Sequence, residues 1–184
     1  MKHKKELDLR IRVIEVVNEI AHCFPELDNA AIVVSFALTR FTMLAGCIPP
    51  WKGMRRYLLL IGYGKYNILN AGILTKKQLR GVVAHELCHF VQYSKMTTLG
   101  YWLFVLKYKL SMSFRREVER STDLETIHRG FGHELLAFSL KADNRPGLPG
   151  QKYSKYRQDI YLSSFEIAAE IDVYEVAIKL NDQY

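Results

Sequence analysis

The chain has 184 residues, 49% hydrophobic and 24% charged, which gives it the apolar bulk for a folded core and excludes a disordered chain. The net charge of +7 permits an anionic partner, but the Lys and Arg residues are scattered along the chain without zinc-finger spacing or an Arg-rich helix. That distribution argues against nucleic-acid binding as the main function. Three cysteines, Cys23, Cys47 and Cys88, form neither a CxxC pair nor a disulfide framework, which favours reduced thiols and a cytoplasmic setting.

The first segment, MKHKKELDLRIRVIEVV, is basic but interrupted by acidic residues, so it does not read as a signal peptide. Leu9, Val13, Val16, Val17 and Ile20 recur at helical spacing and predict an amphipathic helix from about Leu7 to Phe24, before Pro25. AAIVVSFAL, from Ala30 to Leu38, is rich in β-branched residues and predicts a strand. FTMLAGCI predicts a second strand, broken by Pro49 and Pro50. RRYLLLIGYG and KYNILN predict further strands, paired as a hairpin or across a bulge.

Thr75 is placed to cap a long helix. The uncharged run from Met96 to Leu106 is too short to cross a membrane, which takes about 20 residues. It suits a buried helix, and its aromatic content leaves room for contact with a membrane surface. A helix is expected from about Tyr101 to Arg129, ended by Gly130, with a short one from His133 to Lys141. DNRPGLPG, from Asp143 to Gly150, predicts a loop. Ser163 and Glu166 form a capping-box pattern that starts a last helix towards Leu180. With no repeat or linker, residues 1–184 read as one domain. The fold class is α+β: an N-terminal helix and a small, mainly antiparallel sheet packed on a motif-bearing helix, followed by a helical C-terminal half.

The motif on that helix is HELCH. His85 and His89 are four apart, so a helix puts both imidazoles on one face, one turn apart, where they can ligate one metal ion. Glu86 lies beside them. Neutral imidazoles bind Zn²⁺ without cancelling its charge, the ion acidifies a water, and a carboxylate takes the proton as general base. Cys88 reads as a small core residue. A third ligand is sought downstream in REVERSTDLETIHRG. Glu119 and Asp123 are four apart and share a helix face, so Glu119 can ligate while Asp123 accepts the free N–H of a ligand histidine. Glu117 has Ser121 at that offset and ranks below Glu119.

HELCH, followed thirty residues after its second histidine by ERSTD, resembles the gluzincin metallopeptidases, the thermolysin-like and CAAX-prenyl-protease-like group. The resemblance covers roughly Tyr57 to Gly130. It implies a zincin-like fold and a peptidase acting on peptide or protein, with His85, His89 and Glu119 on one zinc ion, Glu86 as general base and acid, and Asp123 orienting a histidine. It also implies a strand along the cleft edge that pairs with extended substrate, for which RRYLLLIGYG is the candidate, although its run LLLI suits an interior strand equally. An oxyanion-stabilising group is expected among His128, His133, Tyr153, Tyr156, Arg157 and Tyr161. Two other readings compete: an inactive binding or regulatory protein of the same fold, and a basic nucleic-acid-binding protein in which HELCH is incidental. HEL recurs at His133, but Ala137 stands where the second histidine would be, so this copy reads as structural.

Overall fold

The first helix, α1 (Lys2–Ile20), buries Leu9, Val13, Val16, Val17 and Ile20, the five residues expected from their spacing. Two 3₁₀ turns, Ala21–Cys23 and Pro25–Leu27, carry the chain to the sheet. The structure, a computed structural model, describes residues 2–37, 42–51, 54–62, 73–143 and 157–181. KYNILN lies outside the described residues, as does DNRPGLPG after Asp143.

Three strands follow: β1 (Ala31–Ala37), β2 (Met43–Trp51) and β3 (Met54–Gly62). Their order is β1-β3-β2. β2 and β3 are antiparallel neighbours in sequence, but β1 pairs parallel to β3. The sheet is therefore mixed rather than mainly antiparallel, because the chain crosses from β1 to the far edge before returning to the centre. Of the two readings of RRYLLLIGYG, this order bears out the interior one and not the cleft-edge one: β3 is the central strand, and β2 is an edge. Tyr57, Leu59 and Ile61 alternate along β3 and are buried, with the Tyr57 ring 4.9 Å from that of Phe90. Pro49 and Pro50 do not end β2, which runs on to Trp51 past a register irregularity after Ile48. An edge strand tolerates residues that cannot donate to a ladder.

Helix α2 (Lys76–Ser94) runs through the centre of the molecule. Thr75 caps it in a reciprocal box: its hydroxyl accepts from the Gln78 amide at 3.2 Å, and the Gln78 side chain accepts from the Thr75 amide at 3.0 Å. Val82 to Val91 are buried without a break, since α2 is covered by α1 and by β2 and β3 as well as by the helices that follow.

The single helix expected over Tyr101–Arg129 is two. Helix α3 (Thr98–Leu110) ends at Ser111, whose hydroxyl accepts from the Phe114 amide and starts helix α4 (Met112–Thr126). Nor is the Met96–Leu106 run a buried helix, for no residue of α3 is buried. After α4 a π turn, Ile127–Phe131, reaches Gly130, whose φ of 85° supplies the left-handed break expected there. Helix α5 (Gly132–Asp143) then crosses α2, and helix α6 (Ser164–Asn181) packs on α5 around a smaller core of Ile127, Leu135, Leu162, Ile167 and Ile171. The Ser163–Glu166 box is present, each residue's side chain accepting from the other's amide.

The α2–α5 crossing depends on Gly81. A Cβ there would stand 2.4 Å from the carbonyl carbon and oxygen of Glu134. The second HEL thus supplies backbone contact, and its Glu134 carboxylate faces Arg80 at 3.4 Å. Gly81→Ala gains about 1 kcal/mol of helix propensity but forces two backbones apart. We expect a net destabilisation of about 1–3 kcal/mol, read as a lower urea midpoint. A midpoint equal to that of the wild type would show that the helices do not cross this closely.

Candidate metal centre

Two helices build the site. α2 contributes His85, Glu86 and His89, and α4 contributes Glu119, Thr122 and Asp123, all buried. Glu119 Oε2 lies 3.1 Å from His85 Nε2 and 3.4 Å from His89 Nε2. One donor atom from each of the three residues falls within 4.8 Å of the others. The sequence placed these three together, and the structure does the same. Glu117 is exposed on another face of α4.

The outer partners determine which nitrogen faces inward. His85 Nδ1 is 2.9 Å from Asp123 Oδ1, a short but oblique contact with no acceptor in line. Asp123 Oδ2 accepts the Leu162 amide at 2.9 Å, so the carboxylate is held from both sides. His89 Nδ1 is 3.4 Å from Thr122 Oγ1. The Thr122 hydroxyl has one proton and donates it to the Val118 carbonyl at 2.8 Å; it is therefore an acceptor for Gln92 Nε2, at 2.8 Å, and for the His89 Nδ1–H. Asp123 beside His85 Nδ1 and Thr122 beside His89 Nδ1 favour a proton on each Nδ1, which would leave each Nε2 free for a cation, and without one His85 Nε2–H can donate to Glu119 Oε2.

Burial and charge act against each other here. Burial alone would lower the His85 pKa, but Asp123 and Glu119 raise it well above the ordinary imidazole value. Burial would raise the Glu119 carboxyl, but His89 and His85 hold it far below the usual range. Two buried carboxylates therefore draw positive charge into the site, and a proton on His85 or a metal cation can supply it. The donor set fits a metal. Ligands at about 2.0–2.1 Å from a tetrahedral zinc are about 3.4 Å from one another, close to the two Glu119 separations. His85, His89 and Glu119 would hold such an ion.

Glu86 is set apart from these three. Its carboxylate accepts the backbone N–H of Ala45 on β2, and burial raises its pKa. Ala45 and Cys47 both turn their amides away from β3, and the Cys47 amide donates to the Tyr101 hydroxyl at 3.0 Å. Cys88 faces the core, where burial pushes its thiol up to about 12, so it serves as a packing residue and not as a ligand.

Among the expected oxyanion candidates, Tyr161 is at the site, its ring 5.9 Å from that of His85. Arg157 is buried against Asp143 and Ser139, at 3.2 and 3.0 Å. His128 lies against Tyr174, and His133 pairs with Glu175 at 2.9 Å, both away from the centre. Tyr153 and Tyr156 lie outside the described residues. Reading the sequence missed Tyr108, whose hydroxyl donates to Glu119 Oε1, and Thr122. Thr122 carried a signal, since it stands three residues after Glu119 and so shares its helix face. Tyr108 carried none, because it comes from a separate helix. No family model matches the chain, and no curated protein or solved structure is significantly similar to it.

Proposed function

We propose that the protein is a zinc-dependent metallopeptidase of gluzincin type, with a zincin-like fold, acting on peptide or protein substrates in a reducing, cytoplasmic compartment. The observation that carries this reading is the convergence of His85 Nε2, His89 Nε2 and Glu119 Oε2 with a separate buried carboxylate, Glu86, next to them. A purely structural metal site would not need that fourth group.

His85, His89 and Glu119 would hold a zinc ion, which would supply Lewis acidity to a water and to the scissile carbonyl. Glu86 then acts as the base. It is not one of the three converging donors, and its raised pKa suits it to take a proton from the attacking water and deliver it to the leaving amine. Asp123 and Thr122 hold the two imidazoles in the tautomer that ligation requires. Tyr161, kept protonated by burial, is the donor we assign to the developing oxyanion. Edge strand β2, not β3, passes beside Glu86, but its outward Ala45 and Cys47 amides are held by Glu86 and the Tyr101 hydroxyl, so no substrate strand is assigned to it.

The test is the metal content of the purified chain under metal-replete conditions, together with hydrolysis of a quenched peptide library. We expect about one zinc per chain, and hydrolysis that a chelator abolishes and zinc restores. A chain without metal would sink the proposal. A chain that holds zinc and hydrolyses nothing would favour the inactive binding or regulatory protein.

A further inference from the structure

Helix α3 has two unlike faces. Tyr101, Phe104 and Tyr108 turn inward: Tyr101 and Phe104 pack on Tyr93, Tyr101 holds the Cys47 amide, and Tyr108 holds Glu119. The outer face carries Leu99, Trp102, Leu103, Leu106 and Leu110, between 53% and 78% exposed. These five follow one another at helical spacing and form a single stripe. Lys107 and Lys109, both exposed, lie on opposite flanks of it, each about 80° round the helix from its midline, with the Lys107 ammonium 4.1 Å from the centroid of the Phe114 ring.

An apolar stripe edged on both sides by lysines suits the boundary between acyl chains and anionic headgroups: the leucines and Trp102 enter the hydrocarbon edge, and the ammonium groups stay at the phosphate level. The charge distinguishes this face from the other exposed apolar faces among the described residues: on α1, Leu7, Ile11 and Ile14 are exposed, but Asp8 and Glu15 line one flank. On α6, Phe165, Val173, Val176 and Leu180 are exposed, but Asp172 stands among them, and an anionic surface would repel it. With 13 residues α3 is about 20 Å long, enough to lie in a bilayer surface and too short to span it.

We infer that the outer face of α3 docks on an anionic lipid membrane surface. Docking places the His85–His89–Glu119 centre about one helix diameter from the lipid, since the opposite face of the same helix touches Glu119. The inference does not rest on the peptidase reading, because vesicle binding requires neither metal nor hydrolysis.

The experiment is co-sedimentation of the full chain with phosphatidylcholine vesicles, with and without about 30% phosphatidylserine. The wild type should bind the anionic vesicles and release them as salt screens the charge. Lys107→Gln/Lys109→Gln should bind about 30-fold more weakly, from about 1 kcal/mol per lysine. Leu103→Asp/Leu106→Asp should abolish binding without changing thermal unfolding, because both residues are exposed. Phe165→Asp on α6 should bind as the wild type does. Absence of binding to anionic vesicles overturns the inference, as does undiminished binding by either double variant. A dimer in sedimentation velocity that Leu103→Asp/Leu106→Asp dissociates, with no vesicle binding, would assign the face to a second copy of the chain instead.

Discussion

If the proposed peptidase reading holds, Glu86→Gln should lower hydrolysis about a hundredfold to ten-thousandfold and leave bound metal at the wild-type level. The two effects separate because Glu86 is not one of the three converging donors; its carboxylate meets the Ala45 amide. Glutamine keeps the shape and the acceptor oxygen for that amide but cannot take a proton. Stability should not fall either, since a buried carboxylate with a raised pKa costs more to bury than a neutral amide. Metal analysis, peptide turnover and thermal unfolding on one preparation check all three. Undiminished turnover would remove Glu86 from the chemistry. Loss of metal would make it a ligand.

Glu119→Ala should cost both the proposed metal and the proposed activity, whereas Glu117→Ala should change neither. Zinc-finger peptides, with four protein ligands, bind zinc by about 10–16 kcal/mol, about 3 kcal/mol per ligand, so Glu119→Ala should weaken zinc affinity roughly a hundredfold or more. The substitution also deprives the Tyr108 hydroxyl of its acceptor and takes from the site the carboxylate that both imidazoles face. Glu117 is exposed, and its removal should alter stability by no more than about 0.5 kcal/mol. Competition with a chromogenic zinc chelator measures both affinities. Metal loss in Glu117→Ala, with retention in Glu119→Ala, would reverse the ligand assignment.

Much of this was legible because it is local. A four-residue offset on a helix is fixed by helix geometry, so His85 with His89, and Glu119 with Asp123, could be paired before any fold was known. The buried face of α1 and the caps at Thr75 and Ser163 were legible for the same reason. What could not be read was decided between elements. Strand order depends on which edges meet: β3 is apolar enough for either position, and only its pairing with both neighbours makes it central. α3 is apolar because one face meets Tyr93 and the site, but hydropathy does not tell how much of a helix its neighbours cover. The break at Ser111 has neither Gly nor Pro; the serine hydroxyl competes for the Phe114 amide, which is a signal only once a turn is suspected. Tyr108 reaches Glu119 across that break, and no spacing rule links them.

Asp123 faces two ways, towards His85 with one oxygen and towards the Leu162 amide with the other. Leu162 belongs to the core beneath α6, and Ser163 caps that helix. One carboxylate is therefore shared between an imidazole and the carboxy-terminal segment. Binding equilibria that share a group are reciprocal. A cation drawn to His85 that polarises its Nδ1–H strengthens the claim on Asp123, and whatever free energy this adds to or takes from the seating of Leu162 returns in equal measure as a change in cation affinity. Any change that unseats Leu162 should therefore be felt as a change in cation affinity at His85, although the last helix supplies none of the three donors.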